Sequence, residues 1–187
     1  MRRAFGFLVS LFGILVTLNP SNAVEGPPQQ LQGKSIVVTW SENRIQRPEG
    51  EGQFREVNGS HSMSIYISSS GRIFSRLTNT VGSNSGSIDH VQEHSAGDPN
   101  IRKRVTTFTG RSMTLDQPFR KGGHRHLAID FGEKFDDCSA KLSYVTEAGS
   151  QTSLARSPIT NKMVEIRSIA MSGEKCSVSQ GNVFGDE

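Results

Sequence analysis

The chain of 187 residues carries 21 Lys+Arg, 18 Asp+Glu and 34% hydrophobic residues, for a formal charge of +3. That length suits one domain with a real core, and mixed charges interleaved with aromatic and β-branched residues exclude a long disordered polyion. Two cysteines make at most one bridge, which excludes a scaffold held mainly by disulfides.

The segment from Met1 to Ala23 has the layout of a secretory signal peptide. Arg2 and Arg3 give a positive start, and an apolar run extends from Phe5 to Leu18. Pro20 breaks it, and Ser21-Asn22-Ala23 offers small residues for cleavage. The run is shorter than the ~20 apolar residues that span a bilayer, which argues against an uncleaved anchor. A twin-arginine signal is a weaker match than the general secretion route, because the central run is strongly apolar. The expectation is a periplasmic or secreted protein that is not integral to a membrane after cleavage. Cleavage after Ala23 removes Arg2 and Arg3 and no acidic residue, so the formal charge falls from +3 to +1. No nucleic-acid partner is expected of such a chain.

Residues 24–33 read as a flexible Gly/Pro/Gln tail, and 34–187 as a single β domain. Ile36, Val38 and Trp40 alternate with Val37 and Thr39; Met63, Ile65 and Ile67 alternate with polar residues. Period-two alternation is the mark of a half-buried strand. Ser68-Ser69-Ser70-Gly71 then predicts a hairpin into Ile73 to Leu77. The stretch from Asn79 to Asn100, with His90 and His94, reads as one long loop. Val105 to Phe108 and Ser112 to Leu115 predict a second hairpin about Gly110-Arg111. Arg125 to Phe131 is a strong strand, followed by one carrying Ala140, Leu142 and Tyr144. Val164 to Met171 and Lys175 to Ser179 read as a last hairpin about Ser172-Gly173-Glu174, with a helix after Ser157-Pro158 as the alternative for 159–170. The sum is an all-β antiparallel barrel or sandwich, comparable to a lipocalin barrel by analogy only.

Cys138 and Cys176 are the only thiols, and in an oxidising compartment they predict one structural disulfide. Cys-x-x-Cys is missing, as are the further ligands that a zinc site of thiols needs.

Among candidates for chemistry, His124, His126 and Asp130 fall on one side of a strand, opposite Leu127, Ile129 and Phe131. Two imidazoles and a carboxylate suit zinc, iron or manganese. His-x-His also resembles the core of the cupin metal motif, whose following Glu and second His motif are missing here. Residues 101–126 hold seven basic side chains against Asp116 alone. Arg102, Lys103, Arg104, Arg120, Lys121 and Arg125 from this section form a candidate anion-binding patch for glycan or lipid headgroups. There is no Gly-x-Ser-x-Gly elbow, P-loop or dinucleotide fingerprint, so no catalytic or cofactor-binding residue is assigned.

Gly33-Lys34-Ser35-Ile36-Val37-Val38-Thr39-Trp40-Ser41, Ser70-Gly71-Arg72-Ile73-Phe74-Ser75-Arg76, Cys138-Ser139-Ala140-Lys141, Cys176-Ser177-Val178 and Gly181-Asn182-Val183-Phe184 resemble phrases of small exported proteins of alphaproteobacteria. The resemblance implies export and a β fold, and brings no catalytic residue. The leading expectation is an exported binding or interaction protein of the bacterial envelope. The alternative is a metal-dependent enzyme on a cupin-like barrel using His124 and His126.

Overall fold

The computed structural model describes residues 26–92 and 105–185. The segment from Met1 to Ala23 that reads as a signal peptide, His94, Arg102, Lys103 and Arg104 lie outside them. The described chain is almost entirely β. Its strands are β1 (Lys34–Pro48), β2 (Arg55–Ile67), β3 (Ile73–Val81), β4 (Asn84–Gln92), β5 (Val105–Thr109), β6 (Ser112–Pro118), β7 (Gly123–Phe131), β8 (Cys138–Thr146), β9 (Ser153–Arg156) and β10 (Met163–Gln180). They form a six-stranded sheet in the order β4-β3-β2-β1-β10-β9 and a four-stranded sheet in the order β5-β6-β7-β8. Every strand pairing is antiparallel.

The larger sheet curls into a half-barrel. The turn between β9 and β10 reaches across to β4, which is the opposite end of the strand order. A Cβ on Gly86 of β4 would lie 2.2 Å from the Pro158 carbonyl oxygen of that turn, so only glycine permits the approach. Alternation directs Ile36, Val38, Met63, Ile65, Ile73 and Leu77 inward from this sheet, against Met113, Leu115, Leu127 and Ile129 of the smaller one. Burying these side chains is the main favourable term in holding the two layers together, each contributing roughly 1.5–3 kcal/mol before entropy is counted. The Cys138–Cys176 disulfide joins β8 to β10, and so ties one sheet to the other.

Three sequence expectations change. The Asn79–Asn100 stretch is not one loop, because β3 continues to Val81 and turns through Gly82 and Ser83 into β4. The first half of β4, from Asn84 to Ser87, is small and polar and carries no hydrophobic signal. Ser172-Gly173-Glu174 is not a hairpin turn, because β10 runs on for 18 residues beside β1. The register shifts between Thr39 and Ser41, and two residues, Gly173 and Glu174, oppose the single residue Trp40. Gly173 has φ +70°, and the glycine serves a β-bulge. The β-branched run after residue 162 is strand as expected, and the helix alternative falls because 157–162 forms turns. Finally, the tail is docked before residue 34, because a short 3-10 turn at Gln29–Leu31 buries Leu31 completely in the core.

Among the described residues no helix is long and apolar enough to cross a membrane.

Candidate functional site

The hairpin of β6 and β7 sets the candidate site. Its register pairs Asp116 with His126, Gln117 with Arg125 and Pro118 with His124. Alternation places Asp116, His124 and His126 on the outer face of the smaller sheet, each half-buried, and Gln117 and Arg125 on the inner face. His126 Nδ1 lies 2.6 Å from Asp116 Oδ1, and His124 Nε2 lies 3.7 Å from the same oxygen. One potential ligand atom from each of the three residues falls within 4.8 Å of the others, so a single ion can contact all three.

Gly123 holds this end of the hairpin close to β8. A Cβ there would lie 2.3 Å from the Val145 carbonyl oxygen.

His124 and His126 are therefore brought together, but Asp130 is not part of the group. It lies four residues farther along β7, about 13 Å at the strand rise. There it accepts a hydrogen bond from Ser112 Oγ at 2.5 Å. Asp116 takes its place because the cross-strand partner is nearer than the same-strand residue. The signal that locates it is the Gly122-Gly123 turn, which fixes which residue of β6 faces His126. The pair also faces outward, whereas a cupin-like site would lie inside a barrel.

The basic section is dispersed. Arg111 is exposed in the β5–β6 turn, at the far end of β6 from the exposed Arg120 and Lys121 in the β6–β7 turn. Arg125 does not belong to an exposed basic patch, because it is 5% exposed and its guanidinium faces inward, where it meets a buried carboxylate.

That carboxylate is Glu42, which sequence reasoning missed. On the inner face of β1 the apolar residues Ile36 and Val38 give way to Trp40, Glu42, Arg44 and Gln46. The strand keeps its period while changing chemistry, so polar side chains enter the half-barrel. Arg125 donates to both Glu42 oxygens at 3.2 and 3.1 Å and to Gln117 Oε1 at 3.0 Å. Trp40 Nε1 donates to Glu42 Oε2 at 3.1 Å, and the indole stacks on His61 with ring centroids 5.2 Å apart. His61 Nε2 and Arg44 Nε each lie 3.4 Å from a Glu42 oxygen.

Burial by itself raises the Glu42 carboxyl, but the Arg125, His61 and Arg44 charges and the Trp40 N–H outweigh it and hold it at about 2. Burial pushes the His61 imidazole down to about 4, against the attraction of Glu42 and together with repulsion from Arg125 and Arg44. His61 is therefore neutral at pH 7.

Two grooves of about 490 and 480 Å³ lie over the middle of β1, sharing Ser41, Ser60 and Thr80. Their walls are mainly hydroxyl and amide side chains, with Glu42 lining the first and His61 and Lys175 the second.

No protein-family model, curated protein or solved structure matches this chain.

Proposed function

We propose that this is an exported β-sheet protein that binds a divalent transition-metal ion through Asp116, His124 and His126. The observation that carries the reading is the convergence of two imidazoles and a carboxylate within 4.8 Å on adjacent strands. Such a donor set suits zinc, iron(II) or manganese, and leaves further coordination positions facing solvent. The three side chains are about one-third exposed on an open sheet face. Hydrolytic metal sites instead sit in clefts that exclude water, so binding is favoured over catalysis. Export is supported by the layout of the segment from Met1 to Ala23 and by the bonded cysteines.

Zinc titration and elemental analysis of untagged protein test the reading. One equivalent is expected for the parent protein and none for the variant with His124→Ala and His126→Ala. Failure of the parent protein to bind zinc, cobalt or manganese rejects it.

An anionic partner, such as a glycan or lipid headgroup, is the second reading. Arg120 and Lys121 favour it, since they lie in the turn joining the two ligand strands. Binding to anionic vesicles or glycan should then weaken with salt and with Arg120→Gln plus Lys121→Gln.

A further inference from the structure

Among the described residues, the inner face of the half-barrel holds a charge that no facing side chain balances. Glu42, Arg44, His61 and Arg125 are each between 2 and 6% exposed. With His61 neutral, one carboxylate faces two guanidiniums, and the chamber holds a net charge of +1. Glu42 is shared unequally. Arg125 takes both of its oxygens in hydrogen bonds, whereas Arg44 has only the 3.4 Å approach of its Nε. A buried charge left without its own counter-charge costs several kcal/mol.

A second observation marks the same place. Among the described residues, the buried side-chain nitrogen and oxygen atoms without a hydrogen-bond partner are Arg44 Nε, Gln46 Oε1, both ring nitrogens of His61, Asn79 Oδ1 and Arg125 Nε. All belong to side chains facing this chamber: Arg44 and Gln46 on β1, His61 opposite Asn79 in the β2–β3 register, and Arg125 from the facing sheet. Folded proteins leave few such groups unmatched, and six in one enclosure need a common partner. Ordered water supplies hydrogen bonds but leaves the charge. An oxyanion supplies both, because guanidinium N–H groups are the usual partners of carboxylate and phosphate.

We infer that the half-barrel interior is a binding site for a small oxyanion, held by Arg44 and Arg125 and oriented by Gln46, Asn79 and His61. The amide oxygens of Gln46 and Asn79 accept hydrogen bonds, so a ligand that also bears hydroxyl groups fits better than a bare inorganic ion. Exposure along the inner face of β1 rises from 2% at Glu42 to 6% at Arg44 and 9% at Gln46. Burial lowers the Arg44 guanidinium from its ordinary value, opposed by Glu42 and aided by Arg125, in keeping with a cation short of a counter-charge.

Thermal unfolding of the oxidised protein tests this with sodium acetate, phosphate and gluconate, each against sodium chloride at equal ionic strength. At least one oxyanion should raise Tm saturably, by about 5–10 °C at a hundredfold excess over its Kd. Gluconate should exceed acetate. Arg44→Gln should weaken binding at least tenfold. Gln46→Leu keeps every charge and should abolish the preference for gluconate, which covers the case in which Arg44→Gln does not fold. Absence of any saturable rise over chloride overturns the inference, as does an equal rise in Arg44→Gln. Metal binding at Asp116, His124 and His126 is read separately by zinc titration, so failure of one reading is distinguishable from failure of the other.

Discussion

Arg125 lies between His124 and His126 on one strand, yet its guanidinium is held by Glu42 of the opposite sheet at 3.1 and 3.2 Å. The same guanidinium takes Gln117, the neighbour of Asp116, at 3.0 Å. The residues that point inward thus fix, from behind, the register of the residues that point outward. Glu42→Gln leaves two guanidiniums without a counter-charge and should destabilise the fold by about 3–5 kcal/mol. In the fraction that stays folded, zinc affinity should fall by about tenfold, as when groups supporting a metal ligand are removed. Urea unfolding reads the first effect and zinc titration the second. Unchanged zinc affinity in a folded Glu42→Gln protein would show that the clamp is purely structural.

Asp116 and Asp130 offer a direct comparison. Asp116→Asn should reduce zinc affinity by about 100-fold or more, exceeding the effect of losing a supporting group. Asp130→Asn should leave affinity unchanged and only weaken the hydrogen bond from Ser112, which then meets a neutral amide oxygen. Calorimetric titration of the two variants decides between them, and the reverse order would restore the same-strand carboxylate as the ligand.

Acid should destabilise the protein in two steps of the same sign. Unfolded His61 takes up a proton near 6.5, whereas the folded residue refuses it until about 4. Stability therefore falls as pH drops from 6.5 to 4, by roughly 3 kcal/mol at most from this residue. Glu42 is held at about 2 against 4.5 when unfolded, so its contribution is present above 4.5 and is lost as pH falls toward 2. Urea midpoints at pH 7.5, 5 and 3.5 should decline in order. His61→Gln should flatten the upper part of that decline, and a constant midpoint from pH 7.5 to 4 would contradict the assignment.

The Cys138–Cys176 bond closes a separation of 38 residues between the two sheets. By the chain-entropy relation its loss costs about 4 kcal/mol. Unfolding with and without reductant should show that difference, and non-reduced peptide mapping should recover the linked pair. Two free thiols in protein folded under oxidising conditions would contradict it.

The sequence was most legible where hydrophobic alternation is strong. Ile36–Val38–Trp40, Met63–Ile65–Ile67 and Leu127–Ile129–Phe131 read directly as strands with a buried face. The pairing of Cys138 with Cys176 followed from there being no other thiol. Legibility failed where a strand buries polar side chains or none of size. Glu42, Arg44 and Gln46 look like solvent-facing residues in a one-dimensional pattern, since only the curl of the sheet places them inside. β4 was hidden because Ser85, Gly86 and Ser87 carry no apolar signal. Two of the three residues of the candidate metal group were legible because His124 and His126 share a strand. Asp116 was not, because cross-strand register belongs to the hairpin rather than to either segment.

The larger sheet places its first and last strands side by side, with Lys34 opposite Gln180. A chain emerging amino end first, from a ribosome or a translocon, exposes one edge of β1 until nearly every later residue has followed. That edge is a template for pairing with other chains during the delay. Such long-range closure also belongs to the slow class of folding topologies. Truncation anywhere before β10 would leave β1 permanently half-paired, so the carboxyl-terminal strand acts as the latch that commits the whole molecule.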